Sequence, residues 1–119
     1  GLAEWSQCQY VRNGIAREWG EWFSEWDVLL CPVWTQPPFR YDEDISGPGG
    51  AAATLELLRP VLPPNLLGLP AAVVPFRFAD GMPVGVQVVS ARYRDLLVLD
   101  VAEAIEQSSE VVTPIDPRA

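Results

Sequence analysis

Three short stretches of the chain carry apolar side chains at almost every position, instead of at every second one. They lie at 28–31, 71–74 and 84–89. An alternating strand can turn one face to water, whereas a continuously apolar strand is typical of a sheet covered on both faces. These stretches therefore predict strands at 28–32, 71–76 and 84–89, each of which needs packing partners on both sides.

A long helix is predicted over 3–26, because large apolar side chains recur there at steps of three and four. This spacing favours packing over a ligand-stacking role for the stripe, which consists of Trp5, Cys8, Val11 or Arg12, Ile15, Trp19, Trp22 and Trp26. Further helices are predicted at 51–59 and 94–108, with a loop at 33–50 and an extended tail at 110–119. The order α, β, α, β, β, α indicates an α/β fold.

Three strands make a thin sheet for helices to cover on both faces. Either the chain is an unusually small closed domain, or its sheet is incomplete and continues in a partner segment. Pro75 lies inside one predicted strand and cannot donate a ladder hydrogen bond. Its position must therefore be an edge, a bulge or a strand end.

Composition limits the chemistry of the chain. Its 119 residues have a formal net charge of −8, and all eight basic residues are arginine, so neither lysine nor histidine is available as a general base. A Ser-His-Asp or Cys-His arrangement is excluded, and a zinc site is unsupported. The acidic balance argues against nucleic acid. We interpret Asp42, Glu43 and Asp44 as a solvated corner, and we expect neither a metal nor a cofactor.

Cys8 and Cys31 are too few for a disulfide framework, and each lies among large apolar residues. We therefore expect buried free thiols and a cytoplasmic protein. No apolar run approaches the roughly 20 residues of a membrane helix, so we expect no membrane association. The chain does not begin with Met, and we expect it to start inside a longer gene product.

Four motifs in order resemble the C-terminal part of the amidase signature family, serine hydrolases that cleave carboxamides. They read DVLLCPVWTQPP, PNLLGLPAAVVPF, GMPVGVQVV and LLVLDVAEAIEQ. Their structural positions include Pro32, Gly68, Pro70, Pro75, Pro83, Gly85 and Gln87. The resemblance implies that the strands join a larger mixed sheet, whose other strands lie in the N-terminal half. It also implies that Gly68 and Gly85 allow close backbone approach near the site.

The family's chemistry uses a serine nucleophile, a second serine in a cis peptide and a lysine base. This chain has no lysine and no Gly-Ser-Ser stretch, so no catalytic residue is predicted in it. By resemblance, the loop after Pro32 and the segment before Asn65 face the substrate. The predicted pocket residues are Trp34, Leu58, Leu62 and Asn65.

The sequence is thus interpreted as the scaffold and part of the acyl pocket of an amide hydrolase, inactive without its catalytic half. Its expected partner is the N-terminal half of the same amidase or a second copy of itself. A small-molecule amide is expected to bind only in the complete enzyme. A stand-alone binding or assembly module derived from the fold is the alternative, and a gene remnant without function is a third.

Overall fold

The computed structural model describes residues 1–37, 41–42, 44–45, 50–79 and 81–109, and the predicted tail at 110–119 and parts of the predicted loop lie outside them. The helices are α1 (Leu2–Glu25), α2 (Gly50–Leu57), α3 (Leu62–Leu67) and α4 (Asp95–Ser108). The strands are β1 (Val28–Pro32), β2 (Ala71–Ala79) and β3 (Met82–Ser90). The predicted α/β class is confirmed.

The three strands form one antiparallel sheet in the order β1-β3-β2. β2 and β3 form a hairpin that extends beyond the predicted strand ends, since Ala79 still pairs with Met82 next to the turn. Gly81 takes a φ of 78° in that turn, a conformation that glycine adopts without steric cost. The ladder continues through Pro83, which pairs with Phe78.

Pro75 sits on the outer strand β2, opposite Gly85. The register shifts between Pro75 and Arg77, so a bulge follows the proline directly. Both an edge and a bulge tolerate a residue that lacks an N–H. The position therefore meets two of the three conditions that the sequence allowed.

Helix α3 was not predicted. Pro63 and Pro64 both fall in the first turn of the helix, where no intrahelical N–H bond is needed. The helix ends at Gly68, which takes the left-handed conformation with φ 65° and ψ 47°. No atom outside its chain neighbours lies within 4 Å of a Cβ placed at Gly68. No close backbone approach is present at this glycine among the described residues, and its positive φ is a sufficient reason for glycine.

Helix α4 packs against β2 and β3. Along β2, Val74 is buried while its neighbour Val73 is 53% exposed, so α4 covers the face that carries Val74. Val88 and Val89 on β3 point to opposite faces and are both fully buried. Only the second half of the central strand β3, residues 87–90, is thus buried on both faces within the described part of the chain, whereas the sequence predicted this for all three strands. β1 and β2 each have one strand neighbour, and α4 alone cannot cover the rest.

None of the residues of helix α1 is buried. The helix contacts α3, where Arg12 Nε donates to the Leu66 carbonyl at 2.8 Å. Trp5 and Trp26 are more than half exposed. Cys8 is also exposed and Cys31 only half-buried, so the prediction of buried thiols is wrong. The periodicity identified an apolar face correctly, but the segment that would cover this face is absent from the described residues.

Although α1 is the longest helix, none of the helices in the described ranges combines the length and apolar character that crossing a bilayer requires.

Candidate functional site

A cavity of about 430 Å³ lies where β1 ends and β3 begins. Its walls are formed by residues 32–37 and 83–85. The two stretches meet because β1 and β3 are antiparallel neighbours, with Pro32 opposite Val86. Proline, valine and tryptophan dominate the lining, and no charged side chain belongs to it among the residues described. The cavity is therefore suited to an apolar group.

Gly85 keeps the strand pairing tight at this end of the sheet. A Cβ placed there would lie 3.2 Å from both Val73 Cγ1 and the Val74 carbonyl oxygen, and 3.7 Å from Val33 Cγ2. Val33 itself belongs to the cavity wall. The expected close approach at Gly85 is thus present, and it involves β2 as well as the loop after β1.

Trp34 is the one predicted pocket residue that lines this cavity. Its side chain is 37% exposed. The next residue, Thr35, donates its backbone N–H to the Leu57 carbonyl at 3.3 Å, which ties the loop to the end of α2. Thr35 and Gln36 also line a second hollow, of about 360 Å³, on the α2 side. The loop after β1 therefore separates two neighbouring cavities.

The other predicted pocket residues lie on and before α3, and none of them lines the cavity at Trp34. Leu58 accepts backbone hydrogen bonds from Val61 and Leu62 in the link between α2 and α3. Leu62 is 45% exposed. The Asn65 side-chain amide donates to the Val61 carbonyl at 2.8 Å, so it is bonded to the residue that precedes its own helix. A role in substrate binding stays a prediction for these residues.

Gln87 connects the sheet to the segment before α3. Its side chain is only 4% exposed, and Nε2 donates to Cys31 Sγ at 3.1 Å and to the Pro60 carbonyl at 3.3 Å. A buried amide needs such partners, because leaving it unpaired costs about 1–3 kcal/mol. Gln87 thus fixes the position at which the chain enters α3 relative to β1 and β3.

Two arginines, which the sequence analysis missed, hold the other end of α3. Arg92 donates through Nε and Nη2 to the Leu67 carbonyl at 3.1 and 2.6 Å, and Arg12 reaches the Leu66 carbonyl. A positive charge at a helix C-terminus satisfies carbonyls that have no intrahelical partner. Because α3 was not predicted from the sequence, Arg12 and Arg92 could not be assigned to the carbonyls at its C-terminal end.

Among the described residues, the wall of the cavity at the end of β1 carries no charged side chain that could act as a general acid or base. The chain has no lysine or histidine, and the polar side chains of the cavity wall are Thr35 and Gln36. No group of three side chains able to hold a metal is found in the described residues. Asp42 is exposed and Asp44 half-buried, while Glu43 lies outside the described residues.

Comparison with known proteins places these features in context. The sequence model of the Amidase family matches residues 3–99. Indoleacetamide hydrolase of Bradyrhizobium japonicum is 39% identical over 112 residues, which cover 93% of this chain and 24% of that enzyme. The crystal structure of a glutamyl-tRNA(Gln) amidotransferase subunit from Thermotoga maritima matches with a TM-score of 0.77 and 38% identity, covering 91% of this chain and 23% of that one. The structure of 6-aminohexanoate cyclic dimer hydrolase matches with a TM-score of 0.72 and 30% identity, covering 87% and 23%. The chain thus spans about a quarter of the length of these relatives.

Proposed function

This chain belongs to the amidase signature family, and from that membership we propose that it forms the scaffold and part of the acyl pocket of an enzyme that hydrolyses carboxamides. The observation that carries the proposal is the family match over residues 3–99. Two of the relatives compared above are hydrolases by name, one of indoleacetamide and one of the 6-aminohexanoate cyclic dimer. The segment would act as a wall of the active site.

The reacting groups would come from outside this chain. The family resemblance calls for a lysine base and a serine nucleophile in a Gly-Ser-rich stretch, and the chain has neither. The N-terminal half of the same amidase is therefore the proposed partner. Cys8 and Cys31 are both free, which supports a reducing cytoplasmic location for the assembled enzyme.

An uncharged, apolar acyl group is the proposed substrate feature. The cavity at Trp34 offers a flat aromatic surface together with valine and proline side chains, and its described lining carries no charge that would select an ionised substrate. Burying an apolar group there gains about 25 cal/mol for each Å² removed from water. Leu58 and Leu62 do not line this cavity. They would add apolar surface to the pocket only if the rest of the complete enzyme covers them.

The proposal is tested in a chimera. This chain replaces the matching segment of the Bradyrhizobium japonicum indoleacetamide hydrolase, and hydrolysis of indoleacetamide and of other amides with apolar acyl groups is measured. We expect turnover by the chimera, and none by this chain alone or by the hydrolase with the segment deleted. A folded chimera that binds no amide and hydrolyses none would refute the proposal and favour a stand-alone binding or assembly module.

A further inference from the structure

One buried side chain, Gln87, joins the two parts of the chain that the family resemblance places against the substrate. On β3 it lies two residues from Gly85, so the two positions face the same side of the sheet. Gly85 belongs to the wall of the cavity at Trp34. Cys31 lies directly opposite Gln87 on β1, and the cavity wall begins at the next residue, Pro32. Gln87 is therefore adjacent to the cavity without lining it.

The Gln87 side-chain amide makes two hydrogen bonds in two directions. An amide nitrogen carries two hydrogens, so Nε2 can donate to both of its acceptors at once. One acceptor is Cys31 Sγ at 3.1 Å, near the end of β1, and the other is the Pro60 carbonyl at 3.3 Å, in the link between α2 and α3. Because Gln87 is buried, water has little access to replace either bond. The amide thus sets the distance between β1 and this link.

Both ends of this bridge lead directly to predicted pocket residues. From Cys31 the chain continues along the cavity wall to Trp34. From Pro60 it continues to Leu62, whose backbone N–H donates to the Leu58 carbonyl at 3.1 Å. Because this hydrogen bond closes the link into a tight turn, a displacement of Pro60 moves Leu62 with it.

The same two parts of the chain are also joined through the backbone. The Thr35 N–H donates to the Leu57 carbonyl at 3.3 Å, so the loop after β1 is tied to the end of α2. This contact does not depend on the identity of a side chain. A substitution at Gln87 should therefore change the spacing of the two parts while the backbone contact keeps them together.

We propose that Gln87 is a positioning residue, which sets the width of the acyl pocket between the loop with Trp34 and the start of α3 with Leu62. The inference rests on the proposed function, and it assigns selection for large apolar acyl groups to a residue that does not touch the substrate. A large acyl group contacts both walls in the complete enzyme and depends on their spacing, whereas a methyl group is too small to contact both. Loss of the bridge should therefore weaken the binding of large amides selectively.

The test uses the chimera of this chain with the Bradyrhizobium japonicum indoleacetamide hydrolase. The truncated hydrolase, from which the matching segment has been deleted, is the blank. Values of kcat and KM are measured for indoleacetamide and for acetamide, which carry a large and a small acyl group. Gln87→Leu removes both hydrogen bonds of the bridge. Cys31→Ala removes the sulfur acceptor alone, and Cys31→Ser restores an acceptor at that position.

Ser90→Ala is the matched control for stability. Ser90 is fully buried on the same strand, and its Oγ donates to the Asp27 carbonyl at 2.7 Å. That bond lies at the end of the β1–β3 ladder away from the cavity, since Ser90 pairs with Val28. Gln87→Leu and Ser90→Ala both leave a carbonyl without its side-chain donor, but only the first removes the bridge. Urea denaturation of the variants compares their stability.

We expect Gln87→Leu to raise KM for indoleacetamide about tenfold, while kcat for indoleacetamide and both constants for acetamide change about twofold or less. Cys31→Ala should raise the same KM about threefold, and Cys31→Ser should return it to within about twofold of the wild-type value. Ser90→Ala should lower the urea midpoint and leave the ratio of the two KM values unchanged.

An unchanged KM ratio in a folded Gln87→Leu chimera, or an equal change in Ser90→Ala, would overturn the proposal. If Gln87→Leu does not fold, Cys31→Ala decides the question, because it removes only one bond of the bridge. An unchanged KM ratio in that variant would also overturn the proposal. A folded wild-type chimera without turnover would refute the proposed function and the pocket role of Gln87 with it, whereas an active chimera whose KM ratio does not depend on Gln87 would refute the positioning role alone.

Discussion

At the residue scale, two glycines of successive motifs have different physical reasons to be glycine. Gly68 ends α3 with a positive φ in open space, whereas Gly85 lies against a backbone oxygen of the neighbouring strand. The first position restricts the backbone conformation and the second restricts the side-chain volume. Their substitution profiles should differ accordingly.

Gly85→Ala should lower the free energy of unfolding of the chimera by about 1–3 kcal/mol, because the Val74 oxygen cannot move away without disturbing the ladder. Gly68→Ala should cost about 1 kcal/mol, and Gly68→Asn should recover part of that loss, because asparagine tolerates the left-handed region. Urea denaturation of the variants measures this. An asparagine that is worse than alanine at 68, or an alanine tolerated at 85, would contradict the assignment.

At the element scale, the sequence predicted strands better than it predicted what covers them. The apolar runs located β1, β2 and β3, since continuous apolar character is a local property that strand pairing preserves. Helix α3 was not predicted from the sequence, because two successive prolines interrupt a helix unless they lie in its first turn. The α1 tryptophans were also expected to be packed. Periodicity defines which face of a helix is apolar, but the covering segment can lie elsewhere in a protein.

The candidate site shows the same limit. The family resemblance predicted Trp34 as a pocket residue, and in the structure Trp34 lines the cavity at the end of β1. The link to α2 through Thr35 and Leu57, and the arginine contacts to α3, depend on tertiary geometry that has no local pattern.

Helix α3 should depend on Arg92 far more than on its neighbour Arg94. Arg92→Leu removes two hydrogen bonds to the Leu67 carbonyl and should cost the chimera about 1–3 kcal/mol. Arg94→Leu removes an exposed ion pair with Asp27 at 3.4 Å and should cost about 0.5 kcal/mol or less. Hydrogen exchange of the α3 amides should rise for the first variant alone. Equal exchange rates of the α3 amides in the two variants would show that Arg92 does not stabilise the helix.

The aromatic row at the end of α1 should gain its stabilising role only in the assembled enzyme. Trp22 is 39% exposed and stacks on Trp26 with ring centroids 6.2 Å apart. Trp22→Ala should therefore cost about 1 kcal/mol in the isolated chain, but about 3–5 kcal/mol in the chimera, where the face is covered. Chemical denaturation of both forms compares the two values. Equal costs would mean that no further segment packs on this helix.

At the scale of the whole molecule, the chain does not close on itself. Its radius of gyration is 17.3 Å, against about 13.5 Å for a compact domain of this length. Exposed leucine, valine and tryptophan side chains remain on β1, β2 and α1. The family and the incomplete sheet were predictable from the sequence, because motif order and apolar runs are local. The identity of the amide was not, since about three quarters of the length of the related enzymes lies outside the matched segment.

The central claim is that this chain is completed by the rest of an amide hydrolase, and size-exclusion chromatography with light scattering tests it most directly. The chain is measured alone over about a tenfold concentration range, and again with the truncated hydrolase. Alone, its mass should exceed 13.1 kDa and rise with concentration, because unpaired apolar edges recruit further chains. With the truncated hydrolase, it should enter a one-to-one complex. A single elution peak with the monomer mass of 13.1 kDa, cooperative unfolding and no binding to the truncated enzyme would contradict the account.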